Sequence, residues 1–360
     1  MKSLIRVLGL SISIFSSPEP LKGNNWMSAF HTADATVGSL DLIPGTSSFT
    51  AVYEDEKSDK ELRGGGDFEF KTISNVREST IRFLNAGYRY FHVFLRSTND
   101  GNWSFLESQS GSLIEYDLEL VLSQMQQFLY ESRYETIFLS VDLYDGTESS
   151  NFVDWLQFRL GDYIFIRDSE TPLIDVSLRD IRRKFVLLSD QPLKSESSES
   201  LSFGADQIDF TSLNRVNHGP ASSDGFVAWK AAVLAYFTKA PDYSRLTGLK
   251  LDCYYKPGVA ENGSKSQASS VRLGLRIARL VKDADVRPGF VRLNHFSRQA
   301  SKFFLARIKQ IVNMRARAAR VEKADSLVDE NNHMMPVPMA SVYGLVGLML
   351  AAVALAVTKL

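Results

Sequence analysis

The 360-residue chain contains one cysteine, Cys253, in the apolar run GLKLDCYY. No intrachain disulfide can form, so stability must come from packing, and Cys253 itself reads as a small buried hydrophobe. Net charge is almost absent: 41 basic side chains face 42 acidic ones, leaving a formal charge of -1. Nothing in that balance points to nucleic acid as a partner. A dinucleotide-binding fingerprint is missing, and so is any compact metal-ligand motif, so neither a cofactor nor a metal is expected. What is present is a globular composition, 44% hydrophobic, 23% charged and 11% aromatic, which excludes disordered and collagen-like classes.

Short apolar runs alternate with helical patterns. The strand candidates are SLDLIPGT, GYRYFHVFLR, WSFLE, TIFLSVD, KFVLLSD, LKLDCYY and GFVRLNHF, mostly continuous in apolarity, as suits parallel strands buried on both faces. Helices fit residues 72–86, 114–132, 149–160, 226–239, 270–282 and 299–321; in the second, Leu118, Leu122, Met125 and Leu129 recur on one face. Glu54 to Gly66 and Lys194 to Gly225 read as loops or insertions. Strands alternating with helices over about 300 residues define an α/β fold, and this length favours a closed (β/α) barrel of the TIM type. On the strand GYRYFHVF the period of two points Tyr90, His92 and Phe94 into the barrel.

The two ends carry a different message. Lys2 and Arg6 precede the apolar segment Val7–Phe15 and then serines, the order of a secretory signal over residues 1–17; a first strand or helix of the fold is the other reading. Residues 339–357, MASVYGLVGLMLAAVALAV, hold no charge and are long enough to cross a bilayer. They fit a removable glycolipid-anchor signal, a tail anchor or a single span, following a barrel over residues 24–322 and a polar spacer over 323–338. A C-terminal hydrophobic helix, the secretory pathway, and a cell-surface or membrane-anchored location follow from these readings. The basic run RIKQIVNMRARAARVEK, residues 307–323, reads first as the solvated face of the last barrel helix, and as a lipid contact if the tail stays in a membrane. Acceptor sequences for N-glycosylation occur at Asn102 and Asn262, about as often as chance allows.

Taken in order, several local sequences resemble the catalytic X-type domain of phosphatidylinositol-specific phospholipases C in its small bacterial and fungal form. NNWMSAF (24–30) matches the opening tryptophan-methionine, and LIPGTSS (42–48) the strand ending in isoleucine-proline-glycine-threonine-histidine-aspartate. GYRYFHVF (87–94), MQQFLYESRYETIFLSV (125–141) and KFVLLSD (184–190) match later strands and the helix between them. The resemblance spans about residues 24 to 310 and rests on the agreement of several weak motifs. It implies a phosphodiesterase-type barrel in which an inositol 2-hydroxyl attacks the neighbouring phosphodiester. Two histidines, orienting aspartates and an arginine would serve as base, acid and phosphate clamp.

The same resemblance implies that those groups are replaced here. Ser47 and Ser48 stand for the first histidine and its aspartate, His92 and Phe94 for the aspartate and arginine of the second strand, and Glu107 or Ser108 for the second histidine at the end of the third strand. Asp142 and Asp190 stand for a lysine and an arginine, and Asn294 or His295 for the last aspartate. Losing both proton carriers and the clamp removes roughly six orders of magnitude in rate, since an acid or base is worth about 10² to 10⁴ and a charge clamp about 10² to 10³. The expectation is therefore a catalytically degenerate barrel that binds an inositol lipid or glycan headgroup. Its mouth would be lined by Ser47, Ser48, His92, Trp103, Glu107, Asp142, Asp190, Asn294 and His295. The alternative is an active phosphoric diester hydrolase or lyase in which His92 and His295 form a rearranged pair with Glu107.

Overall fold

The computed structural model describes residues 21–30, 32, 34–49, 51–53, 71–72, 75–109, 112–143, 149–167, 171–189, 193, 201–204, 207–212, 235–236, 246–250, 274–275, 277–283, 288–293 and 296–333. Eight parallel strands form a nearly closed barrel: β1 (Leu42–Thr46), β4 (Tyr90–Ser97), β7 (Ile137–Leu143), β8 (Phe185–Ser189), β9 (Ser202–Gly204), β10 (Ile208–Ser212), β11 (Leu246–Lys250) and β12 (Gly289–Leu293). In the order β10-β11-β12-β1-β4-β7-β8-β9 each is hydrogen-bonded to the next, and β12 returns to β1 through five residue pairs from Leu42↔Gly289 to Thr46↔Leu293. Among the described residues no ladder joins β9 to β10. Strands β1, β8 and β12 are buried along their whole length, which is why their sequences are continuous apolar runs rather than alternating ones.

Three further features depart from the sequence reading. WSFLE is not a third parallel barrel strand: β5 (Trp103–Gln109) returns antiparallel to β4, pairing Phe94↔Leu106 through Ser97↔Trp103. Only Thr98 to Asn102 link the two, too few for a parallel crossover, and Gly101 at φ 79° lets the chain reverse. Next, β6 (Ser112–Asp117) pairs with β5 where a helix from residue 114 was expected. The helix α2 (Leu118–Glu131) starts later, because the Asp117 carboxylate accepts from the Glu119 N–H and caps it. Lastly, β9 and β10 lie inside the stretch 194–225 that reads as a loop. A small sheet of β2 (Ala51–Tyr53), β3 (Lys71–Thr72) and β13 (Phe296–Ser297) continues from the C-terminal ends of β1 and β12.

Helices α1 (Val76–Asn85) and α3 (Ser149–Leu160) lie where the periodicity puts them, and the residues described in 274–283 are helical as expected. Helix α4 runs Arg298–His333, so the first part of the expected 323–338 spacer is helical; residues from Gln310 on form a separate compact unit. In the barrel unit its buried residues Ala300, Phe304 and Ile308 repeat every four positions. Among the described residues no helix is long and apolar enough to cross a membrane, and residues 339–357, like residues 1–17, lie outside them.

The N-terminal end of the barrel is tied by one buried cation. Arg89, at the start of β4, donates from Nε to Glu135 Oε2 at 2.6 Å, from Nη1 to the Leu84 and Tyr88 carbonyls and from Nη2 to the Gly23 carbonyl, each at 2.7 Å. The other Glu135 oxygen accepts the Met27 N–H at 3.0 Å. The guanidinium also lies 4.5 Å from the Phe128 ring centre, a cation–π contact inside the core. Burial pushes the Glu135 carboxyl up and the Arg89 guanidinium down from their ordinary values, and their mutual attraction opposes both shifts. Nearby, α1 ends in a Schellman motif: Tyr88 N–H donates to Phe83 O, and Gly87 N–H to Leu84 O, with Gly87 at φ 98°. The Gly87 carbonyl then accepts the Trp26 indole N–H at 2.9 Å. Arg89→Leu leaves a buried carboxylate unpaired and is expected to lower the unfolding free energy by about 3–5 kcal/mol in urea titration, while adding Glu135→Leu restores a measurable part of the loss.

Candidate functional site

The two faces of β4 do different work. Phe91 faces the helices, with its ring 6.4 Å from Phe83 of α1 and stacked on Phe49 at 5.5 Å. Tyr90, His92 and Phe94 face the interior, in register with Phe138, Ser140 and Asp142 of β7. The inner floor is aromatic: Phe290 of β12 meets Tyr90 at 5.3 Å and Phe138 at 5.2 Å, both edge-on. Exposure climbs from 0% at Tyr90 to 5% at His92 and 38% at Phe94, so the barrel opens at the C-terminal ends of its strands. Gly45 of β1 makes this packing possible. A Cβ there would stand 2.6 Å from the Tyr90 carbonyl oxygen and 2.7 Å from its Cβ, so the LIPGT strand needs glycine for close approach whatever chemistry follows it.

Above the floor lies a polar cluster. The His92 Nδ1 is 3.1 Å from Ser140 Oγ, and its Nε2 is 3.4 Å from an Asp142 carboxylate oxygen. Each ring nitrogen thus has a polar side chain beside it, and the Phe94 ring closes edge-on over the imidazole with centres 5.0 Å apart. Arg292 of β12 is buried inside the barrel beside the Tyr90 hydroxyl, which also neighbours Ser140. Burial pushes the Tyr90 phenol up, and the Arg292 charge pulls it partly back.

A second cluster sits behind the loop after β1. Glu107 of β5 is buried; one carboxylate oxygen accepts the Ser48 hydroxyl and the other accepts the Phe49 N–H at 3.1 Å. The loop is also tied to itself, since Thr46 Oγ1 donates to the Ser48 carbonyl at 2.9 Å and accepts the Ser48 N–H at 3.1 Å. Phe105, on the same face of β5 as Glu107, packs its ring 5.0 Å from Phe49. Thus Ser48, aligned with the orienting aspartate, and Glu107, aligned with the second histidine, bond to each other and fix a turn.

Of the remaining site candidates, Ser47 is half-buried at the end of β1, and Ser108 follows Glu107 on β5. Trp103 is buried with its ring 4.9 Å from Phe152 of α3. Asp190, Asn294 and His295 lie outside the described residues, as does Cys253. Among the described residues no three His, Cys, Asp or Glu side chains gather as a metal site. Ser140, Tyr90 and Arg292 were not among the sequence candidates. Ser140 is two positions before Asp142 and so shares its face, while Arg292 is a lone cation inside the apolar run GFVRL.

No family model matches the chain, and no curated protein does. Solved structures do. The phosphatidylinositol-specific phospholipase C of Listeria monocytogenes superposes with a TM-score of 0.53 at 18% identity, over 79% of this chain and 98% of that one. A variant of the Staphylococcus aureus enzyme gives 0.53 at 16% identity, over 79% and 97%. The chain accordingly shares the TIM-type barrel fold of those two structures.

The Glu107 clamp makes a stability prediction. Glu107→Ala leaves the Phe49 N–H and the Ser48 hydroxyl without their acceptor and is expected to cost about 1–3 kcal/mol by denaturant unfolding. Gly45→Ala, which pushes on Tyr90, is expected to cost a similar amount, about 1–3 kcal/mol.

Proposed function

We propose that this chain is a catalytically degenerate phosphodiesterase-type barrel that binds an inositol lipid or glycan headgroup at its C-terminal mouth without cleaving the phosphodiester. The observation that carries the reading is that both ring nitrogens of His92 face side chains of the barrel's own wall, Ser140 at 3.1 Å and Asp142 at 3.4 Å. A base that takes a proton directly from an inositol hydroxyl needs a ring nitrogen turned toward that hydroxyl. Glu107 is likewise committed on both oxygens, to Ser48 and to Phe49 N–H. At the rim, the half-buried Ser47 and the partly exposed Asp142 offer hydrogen bonds to a polyol, and the exposed Phe94 ring offers a flat apolar wall of the kind sugar faces use. The likeness to phosphatidylinositol-specific phospholipases C supports a headgroup of that class as the ligand.

The same reading sends the chain through the secretory pathway and holds it at a membrane through residues 339–357, on the strength of their uncharged sequence. Mass spectrometry of the C-terminal peptide of the mature protein tests this: a terminus near residue 326 bearing a glycolipid supports the anchor, and an unmodified intact tail supports a retained span.

Catalysis is tested with purified protein on phosphatidylinositol vesicles, reading water-soluble inositol phosphate. Release is expected to stay at the level of protein-free controls, while calorimetry with myo-inositol or inositol-lipid vesicles shows saturable heat. The rearranged-pair alternative, His92 and His295 with Glu107, predicts turnover that the double substitution His92→Ala, His295→Ala abolishes. That result would displace the binding reading.

A further inference from the structure

We propose that Ser140, His92 and Asp142 form a serine-nucleophile set in the barrel mouth, competent for acyl transfer from a carboxylic ester. The proposal is independent of phosphodiester chemistry, because the imidazole acts on Ser140 and not on the substrate. Ser140 and Asp142 stand two positions apart on β7 and so share its inner face, directly across from β4, where His92 pairs with Ser140. One side chain meets each ring nitrogen, Ser140 Oγ at 3.1 Å from Nδ1 and Asp142 at 3.4 Å from Nε2. In the tautomer with hydrogen on Nε2, that nitrogen carries its hydrogen 3.4 Å from the Asp142 carboxylate, and the Nδ1 lone pair accepts the Ser140 hydroxyl proton. A carboxylate that fixes the tautomer and stabilises the imidazolium, and a hydroxyl on the opposite nitrogen, are the relations a serine nucleophile requires. The ring nitrogens exchange roles relative to the common triad, which the near-symmetry of imidazole permits.

The surroundings suit that chemistry. Ser140 is only partly buried, whereas His92 beside it is 5% exposed. Tyr90 and Ser140 are neighbours, and Arg292 lies beside the same phenol. Phe94, edge-on to His92, supplies an apolar wall at the rim and favours an ester with a short apolar acyl group.

The step balances within the site and one water. Ser140 Oγ bonds to the carbonyl carbon, the carbonyl π pair moves onto oxygen, and the hydroxyl proton passes to His92 Nδ1. Collapse breaks the bond to the alkoxy group, which takes the proton from Nδ1 and leaves as an alcohol. Water then repeats the sequence on the acyl-serine, releasing a carboxylic acid and restoring the hydroxyl.

The test treats the full chain with a fluorophosphonate probe, which forms a P–O bond to an activated serine and expels fluoride, and locates the adduct by peptide mass spectrometry. The expected result is an adduct on Ser140, with the labelling rate reduced at least about 100-fold by His92→Ala. Asp142→Asn, a near-isosteric change at a partly exposed side chain, should also slow labelling while leaving the melting curve in place. Hydrolysis of p-nitrophenyl butyrate should disappear in Ser140→Ala. A folded wild-type protein with no adduct on Ser140, or one whose Ser140 labels equally fast in Asp142→Asn and His92→Ala, overturns the proposal and leaves the three side chains as interior packing.

Discussion

The fold depends on a single buried guanidinium. Arg89 cannot be taken out of water alone, and in the site it occupies it donates four hydrogen bonds to a carboxylate and three carbonyls drawn from separate stretches of chain: Gly23 before the barrel, Leu84 and Tyr88 around the end of α1, and Glu135 ahead of β7. Because Glu135 also holds the Met27 N–H, and its carbonyl accepts the Arg183 N–H at 2.8 Å, the network reaches the segment leading into β8 as well. Desolvation makes this arrangement all-or-none. A partial network strands a charge, so the segments are fixed together or not at all.

This places the buried ionic network and the polar mouth at opposite ends of one cylinder. The residues at the closed end, Trp26, Met27, Gly87, Arg89 and Glu135, tie the chain segments of the barrel together; those at the open end, from His92 upward, line its mouth. In between, the aromatic floor of Tyr90, Phe138 and Phe290 separates the two, so substitution at the mouth need not disturb the network below. A barrel can therefore keep its shape while its mouth changes.

That separation explains what the sequence disclosed. The motifs by which the chain resembles phosphatidylinositol-specific phospholipases C are WM, GYRYF and YETIF, and these contain Trp26, Met27, Gly87, Arg89 and Glu135. Their legibility comes from packing constraints at the closed end, and the glycine of LIPGT belongs with them because Tyr90 lies against it. The period of two read Tyr90, His92 and Phe94 correctly as inward. Long-range pairing was not legible: β6 carries a sequence compatible with the first turn of α2, and only β5 as a partner makes it a strand. Nor was the antiparallel return of WSFLE, which depends on a turn rather than on its own residues. Ser140 went unnoticed because a serine within TIFLSVD has no character until its neighbour across the ladder is known, and Arg292 because the run around it is apolar.

Strand β4 changes neighbours along one edge. Up to Phe91 that edge is paired with β1, and from Phe94 to Ser97 it is paired with β5. The upper wall on that side is thus a ribbon whose height is set by a hairpin, not by the cylinder. Adding or removing residues two at a time around Thr98–Asn102 would raise or lower one parapet of the opening while the circumferential ladder beneath stays as it is. Depth of the opening and integrity of the cylinder are separately adjustable quantities in this architecture.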